Sequence, residues 1–512
     1  MNIRDIILDF QESNVMIDNS RDCLSENTNQ SIQISKSLII QSENKTFLST
    51  TLYNENIKNL INSFKQSDDP EVTINQLREL ISIIPWDITR NDCMNFFHIH
   101  RLLSQKGLMA LGIRFTVQYN LYAGTILHLG SDEQKIWVKN NTDIGCFALT
   151  EQSAGVSSGL VINTNAYYEP FSKTFKLKSN TIEDSKYWIS QGLLAKYAVV
   201  FANLHIDKIN YGPHGFLVDL SEIKKQNGLH ITDMGTKTVA NGLDNAKIYF
   251  DVSIPETCLL SRFTKIVNGV YLRDKKYSFL TVAIRLLTGR YAIATSAHSY
   301  YSQILEKFEK IAVDRKIFIT NKNLKSISEL PEFSSYLSKC KDWEKKIGIY
   351  NRYVEDNIKI HIENDIDFPD WLIESISISK IISTTIPVIS ITILRRLLGS
   401  QSLIYDNMLH DKVLDIFLMT AFAEGSNDLL KQKITRDVVF QLKDNLLYAL
   451  SKPYYLWTFA KLLIDLYTKT NKVDAWFDNY DKIIAFAHDR ILEKTGINMD
   501  LLSLTYPTKS RL

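Results

Sequence analysis

A chain of 512 residues with 45% hydrophobic and 23% charged content can bury more than one core, so two or three domains are expected. Its 59 basic and 57 acidic side chains nearly cancel, which excludes a general attraction to phosphate polymers or anionic membranes; no nucleic acid is expected as a partner. Cys23, Cys93, Cys146, Cys258 and Cys340 are odd in number, widely spaced and free of any CxxC pair, which argues against a disulfide framework or a thiolate zinc site and for a reducing compartment.

The opening MNIRDIILDF lacks the basic start and apolar core of a secretory signal and is too acidic for an organelle transit peptide. Residues 1–45, rich in Ser, Asn, Gln and Asp, read as a polar leader or a lid packed late. From 46 to 140 apolar residues recur at helical spacing, as in Leu60, Ile61, Phe64 and Leu102, Leu103, Leu108, and predict an N-terminal helical domain. His98 and His100, two apart on one helix, point to different sides and are read as packing imidazoles; no metal site is expected.

Between 141 and 262 the period changes to β-branched and aromatic runs at Tyr197–Phe201, Gly215–Leu220 and Lys247–Val252. Tyr167-Tyr168 and Phe175-Lys176-Leu177 flank Glu169-Pro170-Phe171-Ser172, a hairpin signal. Short antiparallel strands in a barrel or sandwich are expected there. After Pro255 the helical period returns, giving a C-terminal helical bundle over 263–450 and a short helical extension over 451–512. The most apolar stretch, Ile381–Leu394, is fourteen residues long and holds Pro387, short of the ~20 needed to span a bilayer, so it is expected as a buried bundle helix and no membrane span is expected. The fold class is thus α+β, one β module between two α modules. No GxGxxG, GxxxxGK[ST] or HExxH motif is present.

Gly145-Cys146-Phe147-Ala148-Leu149-Thr150-Glu151 with Ala154-Gly155, then Lys186-Tyr187-Trp188-Ile189-Ser190, Tyr211-Gly212-Pro213-His214-Gly215, Asp233-Met234-Gly235-Thr236-Lys237, Asn241-Gly242-Leu243-Asp244-Asn245 and Ile254-Pro255 form an ordered series. It resembles the middle domain of acyl-CoA oxidases, within the acyl-CoA oxidase and dehydrogenase superfamily. Phe115–Leu121 upstream, and Thr288-Gly289-Arg290, Asp314-Arg315-Lys316-Ile317-Phe318 and Glu424-Gly425-Ser426-Asn427 downstream, extend the resemblance over about 105–440.

The resemblance implies an acyl-CoA dehydrogenase-like fold, bound FAD, a fatty acyl-CoA substrate and at least a homodimer. Desaturating an acyl thioester needs a strong base facing an electron-accepting ring across the substrate. By resemblance Glu424 is that base, removing the α-proton while flavin N5 takes the β-hydride. On the residues alone the stronger reading of Glu424 is an acidic residue near a helix start, where the macrodipole favours negative charge. Resemblance further implies that Leu149 and Thr150 bond the flavin pyrimidine edge, that Trp188 covers its ring and Ser190 bonds near N5, and that Ser426 contacts the cofactor. Arg315, with Phe318 one helical turn later, would meet the FAD pyrophosphate across a subunit boundary, and Arg290 would organise the acyl-CoA site.

Several positions depart from the family pattern. Val156 stands where a serine is usual, followed by Ser157 and Ser158; the glycine-rich segment before the base is reduced to Gly399-Ser400-Gln401-Ser402; Ala423 replaces an aromatic residue. Only 88 residues follow Glu424, as in a dehydrogenase. The expected activity is an FAD-dependent acyl-CoA oxidase of fatty acid β-oxidation, reducing O2 to H2O2. The alternatives are an acyl-CoA dehydrogenase serving an electron-transfer flavoprotein and a non-catalytic binding subunit. Ser510-Arg511-Leu512 resembles a peroxisomal address; a cytoplasmic location is the alternative.

Overall fold

The computed structural model describes residues 55–155, 161–267, 269–274, 280–320, 323–404, 412–444, 468 and 480–497. The expected leader over 1–45, the Val156-Ser157-Ser158 departure and the Ser510-Arg511-Leu512 ending lie outside the described residues, as does most of 451–512. The chain divides into two compact units: 57–430 with 492–512, and 1–56 with 431–491. All site residues discussed below belong to the first.

The first unit opens with helices α1 (Pro70–Ile81), α2 (Cys93–Gln105) and α3 (Met109–Thr116). Asp69 caps α1 by accepting from Glu71 N, with Pro70 at the first helical position where its missing N–H costs nothing. A π-helix, Val117–Ala123, follows α3 directly and runs into α4 (Gly124–Leu129). All seven π-helical residues are buried. α5 (Asp132–Asn140) starts on a capping box between Ser131 and Gln134. His100 is sealed between Phe96 O and Thr116 Oγ1, and burial pulls its imidazole down to about 4, so it is a neutral packing group as expected.

Eight strands then form one sheet: β1 (Gly145–Ala148), β2 (Asn165–Glu169), β3 (Thr174–Lys178), β4 (Lys186–Ser190), β5 (Tyr197–Ile206), β6 (Ile209–Asp219), β7 (Leu229–Asp233) and β8 (Asn245–Pro255). β2 and β3 make the expected hairpin, pairing Tyr168 with Phe175. The sheet is mixed rather than antiparallel throughout. β1 and β2 both pair in parallel with β5, against 197–200 and 203–205, while β6 runs antiparallel along it. β8 pairs antiparallel with β3, β4 and β7. The alternate inward residues of β5 and β8, from Ala198 to Ile206 and Ala246 to Ile254, meet Phe175, Leu177 and Phe216 in one core. A hairpin of β9 (Thr264–Val267) and β10 (Val270–Arg273) leads on to the helical part.

Helix α6 (Leu280–Asp314) is 35 residues long, about 52 Å of axial rise. The hairpin β11 (Lys316–Thr320) and β12 (Asn323–Ser326), α7 (Pro331–Glu363) and α8 (Asp370–Leu398) follow. The apolar stretch 381–394 lies inside α8 and is largely buried, so α8 is a core helix of the bundle although its length and composition would suit a membrane. α9 (Val413–Phe422), α10 (Asn427–Asp444) and α11 (Tyr480–Thr495) follow.

Candidate functional site

Glu424 sits in the short link between α9 and α10, and two successive residues there are left-handed, Glu424 at φ +56° and Gly425 at φ +97°. Glycine is required at 425 by that backbone; Glu424 tolerates it only under constraint from its neighbours. The carboxyl group turns into the protein. A Cβ added at Gly289 on α6 would lie 2.8 Å from Glu424 Cδ and 2.9 Å from Asn120 Nδ2, so Gly289 is the gap into which the carboxyl fits. Glu424 Oε2 is buried and makes no hydrogen bond among the described residues. Desolvation raises the carboxyl to about 7, against the opposing pull of Arg290 and Lys380.

Both cations bind the backbone of the link rather than the carboxylate. Arg290 Nε donates to Glu424 O at 3.1 Å, and Lys380 Nζ donates to Ala421 O at 2.8 Å and to Gly425 O. Burial pulls the Arg290 guanidinium down to about 10 and lowers the Lys380 ammonium well below its usual range. Asn427 Nδ2 donates to Thr384 Oγ1 at 2.8 Å, tying the start of α10 to α8, and buried Ser426 stands between this anchor and the base.

A second group forms where β1 ends beside β4. Tyr187 N donates to Thr150 O at 2.8 Å, so Leu149 and Thr150 run alongside Trp188. The β4–β8 register breaks between Lys186 and Ile189, and Trp188 takes a left-handed φ of +57° with 53% of its surface exposed. The bulge presents a large ring instead of packing it, which is costly without a partner. Ser190, opposite Asn245, accepts from Asn245 Nδ2 at 3.3 Å. Beneath this surface lies an ion pair with both side chains fully buried, Lys186 Nζ to Glu151 Oε1 at 2.8 Å. Thr164 N and Oγ1 donate to the same oxygen, Asn163 N donates to Oε2, and Lys186 Nζ also reaches Leu149 O.

The π-helix connects the two groups. Gln118 Oε1 accepts from Gly145 N at 3.0 Å at the start of β1, and Tyr122 fills the space where Gly145 has no side chain. From the same seven residues Asn120 reaches the Gly289 gap beside Glu424. Extra residues per turn let one short segment face both the sheet and α6.

Arg315 and Phe318 lie elsewhere. Arg315 is 25 residues beyond Arg290, about 37 Å along the axis of α6. Its guanidinium donates to Leu398 O at the end of α8, beside Gly399, so the Arg315 and Gly399–Ser402 segments, far apart in sequence, come together. Phe318 is not one helical turn after Arg315, as expected from the sequence. α6 ends at Asp314 and the Lys-Ile-Phe-Ile-Thr run forms β11, leaving Phe318 69% exposed.

Sequence reading did not single out Lys380, Gly289 or the Glu151–Lys186 pair. Lys380 carried a signal: it is the one charged residue between Glu374 and Arg395. A lone charge in a buried helix must find strong partners.

No family model matches the chain. It is 32% identical over 225 residues to the peroxisomal acyl-coenzyme A oxidase 2 of Arabidopsis thaliana, covering 40% of this chain and 32% of that protein. The match thus spans about a third of the length of that relative. A solved acyl-CoA oxidase 1 from Yarrowia lipolytica superposes with a TM-score of 0.68 at 19% identity, covering 88% of this chain and 75% of the other. Acyl-CoA oxidase-2 of Caenorhabditis elegans, solved with FAD, ascaroside-CoA and ATP, superposes with a TM-score of 0.69 at 19% identity over 87% and 75%.

Proposed function

We propose that this chain, which has the fold of the acyl-CoA oxidase and dehydrogenase superfamily and curated homologues named acyl-CoA oxidase, is an FAD-dependent acyl-CoA oxidase with Glu424 as its base. The observation that carries the reading is the buried, unbonded Oε2 of Glu424, held at about 7 so that the carboxylate is available near neutral pH and basic enough to take an α-proton.

The residues fit the cofactor. Trp188 presents an exposed ring, its strand carries Ser190 two residues on, and Tyr187 N bonds Thr150 O, which brings Leu149 and Thr150 to the same strand. Bound FAD would supply the two-electron acceptor for hydride leaving C3, with O2 as the final oxidant giving H2O2. Glu424 takes the proton from C2 as that carbon–hydrogen bond breaks, and its electron pair becomes the C2–C3 double bond. Ser426 would contact the cofactor from the start of α10, and Arg290, bonded to the Glu424 peptide, would order the acyl-CoA side of the base. The roughly 37 Å along α6 between Arg290, which is bonded to the Glu424 peptide, and Arg315 supports a homodimer in which Arg315 and Phe318 serve the cofactor of a second copy. The match to a relative named as peroxisomal supports a peroxisomal location.

The test is the visible spectrum of the purified protein mixed with a saturated acyl-CoA. Flavin absorbance that bleaches without air and returns with peroxide in air is the expected result. Bleaching that air barely reverses would replace the oxidase by a dehydrogenase, and a protein that takes up no FAD would end both readings.

A further inference from the structure

The link carrying the base is held by its own carbonyl groups and by one at the end of α9. Ala421, Glu424 and Gly425 each accept a hydrogen bond from a cationic side chain, the first and last from Lys380 and the middle one from Arg290. Lys380 is fully buried in the middle of α8, and two of its three N–H donors are spent on the backbone either side of Glu424. The charged groups facing the Glu424 carboxyl are Arg290 from α6 and Lys380 from α8, with the amide of Asn120 approaching from the π-helix.

We infer that Lys380 is a positioning residue for the base: its two bonds fix the left-handed Glu424-Gly425 backbone that aims the carboxyl into the Gly289 gap, and its charge favours the ionised carboxylate. An apolar side chain at 380 would leave two buried carbonyls short of a donor and the link free to relax away from φ > 0. It would also remove one of the two charges that oppose desolvation of Glu424. The inference rests on the reading of Glu424 as the base.

The experiment follows anaerobic flavin bleaching by a saturated acyl-CoA against pH in the FAD-loaded full chain, for wild type, Lys380→Met, Lys380→Gln and Lys380→Arg. In wild type the rate rises through an acid limb near 7. In the Met and Gln variants the limb moves up by about one pH unit or more and the rate at pH 7 falls at least about tenfold, whereas Arg, which keeps charge and donors, returns the limb toward wild type. If Met is recovered without flavin, the Gln and Arg pair reads the same contrast. Superimposable limbs in the neutral and charged variants would overturn the inference. Glu424→Gln in parallel separates the two failures: wild-type bleaching in that variant removes the base reading itself, while loss of bleaching there with unmoved Lys380 profiles removes only the role of Lys380.

Discussion

Two glutamates of the first unit, Glu151 and Glu424, each have a fully buried lysine nearby, and they are treated in opposite ways. Glu151 receives hydrogen bonds from Lys186, from Thr164 twice and from Asn163, so both of its oxygens are occupied. Glu424 has a lysine whose ammonium group bonds the neighbouring carbonyls, and its Oε2 receives nothing. The same pair of residue types therefore builds a strand clamp in one place and an available base in the other. What separates them is where the lysine spends its donors. A desolvated and unsatisfied carboxylate is left ready to take a proton.

If that contrast is right, removing each carboxylate has opposite consequences. Glu151→Ala leaves Lys186 as an unpaired buried charge and should destabilise the fold by about 3–5 kcal/mol, read by urea unfolding. An unchanged unfolding midpoint would make the clamp dispensable. Glu424→Gln should stabilise the fold instead, and only at higher pH. The carboxyl is protonated up to about 7 when folded but only to about 4.5 when unfolded, so its contribution is full below 4.5 and is lost as pH rises through 7. The gain in the Gln variant should be small at pH 4.5 and reach roughly 3 kcal/mol by pH 8. A gain independent of pH would show that Glu424 is not desolvated.

Gly289→Ala sharpens the contrast from the other side. The new methyl would sit 2.8 Å from Glu424 Cδ, so the carboxyl must move. The expected result is a bleaching rate lower by about 10²-fold with the protein still folded and yellow. A rate within a factor of two of wild type would mean that the Gly289 gap does not set the position of the base.

The sequence carried the strands and hairpin of the middle region clearly, because alternation is local: Tyr167-Tyr168 and Phe175–Leu177 flank a proline turn, and they pair as expected. It did not carry the parallel pairing of β1 and β2 with β5, which joins segments 38 or more residues apart and is set by packing, not by local pattern. The π-helix was read as ordinary helix, since its residues are apolar or amphipathic on every side and its wider turn leaves no distinct period. Phe318 was misplaced because the end of α6 has no glycine stop, although the β-branched run Ile317–Thr320 around it was a strand signal. Glu424 was legible as a residue, but its environment was not. The gap at Gly289 and the bonds from Lys380 join positions more than forty residues apart in three helices and a link.

The most direct measurement is the pH dependence of anaerobic flavin bleaching by a saturated acyl-CoA in wild type and Glu424→Gln. The wild-type rate is expected to rise tenfold per pH unit below about 7 and level off above it, and the Gln variant to lie about 10³-fold lower with that limb gone. An acid limb that persists unchanged in Glu424→Gln would assign the proton to another group and contradict the account.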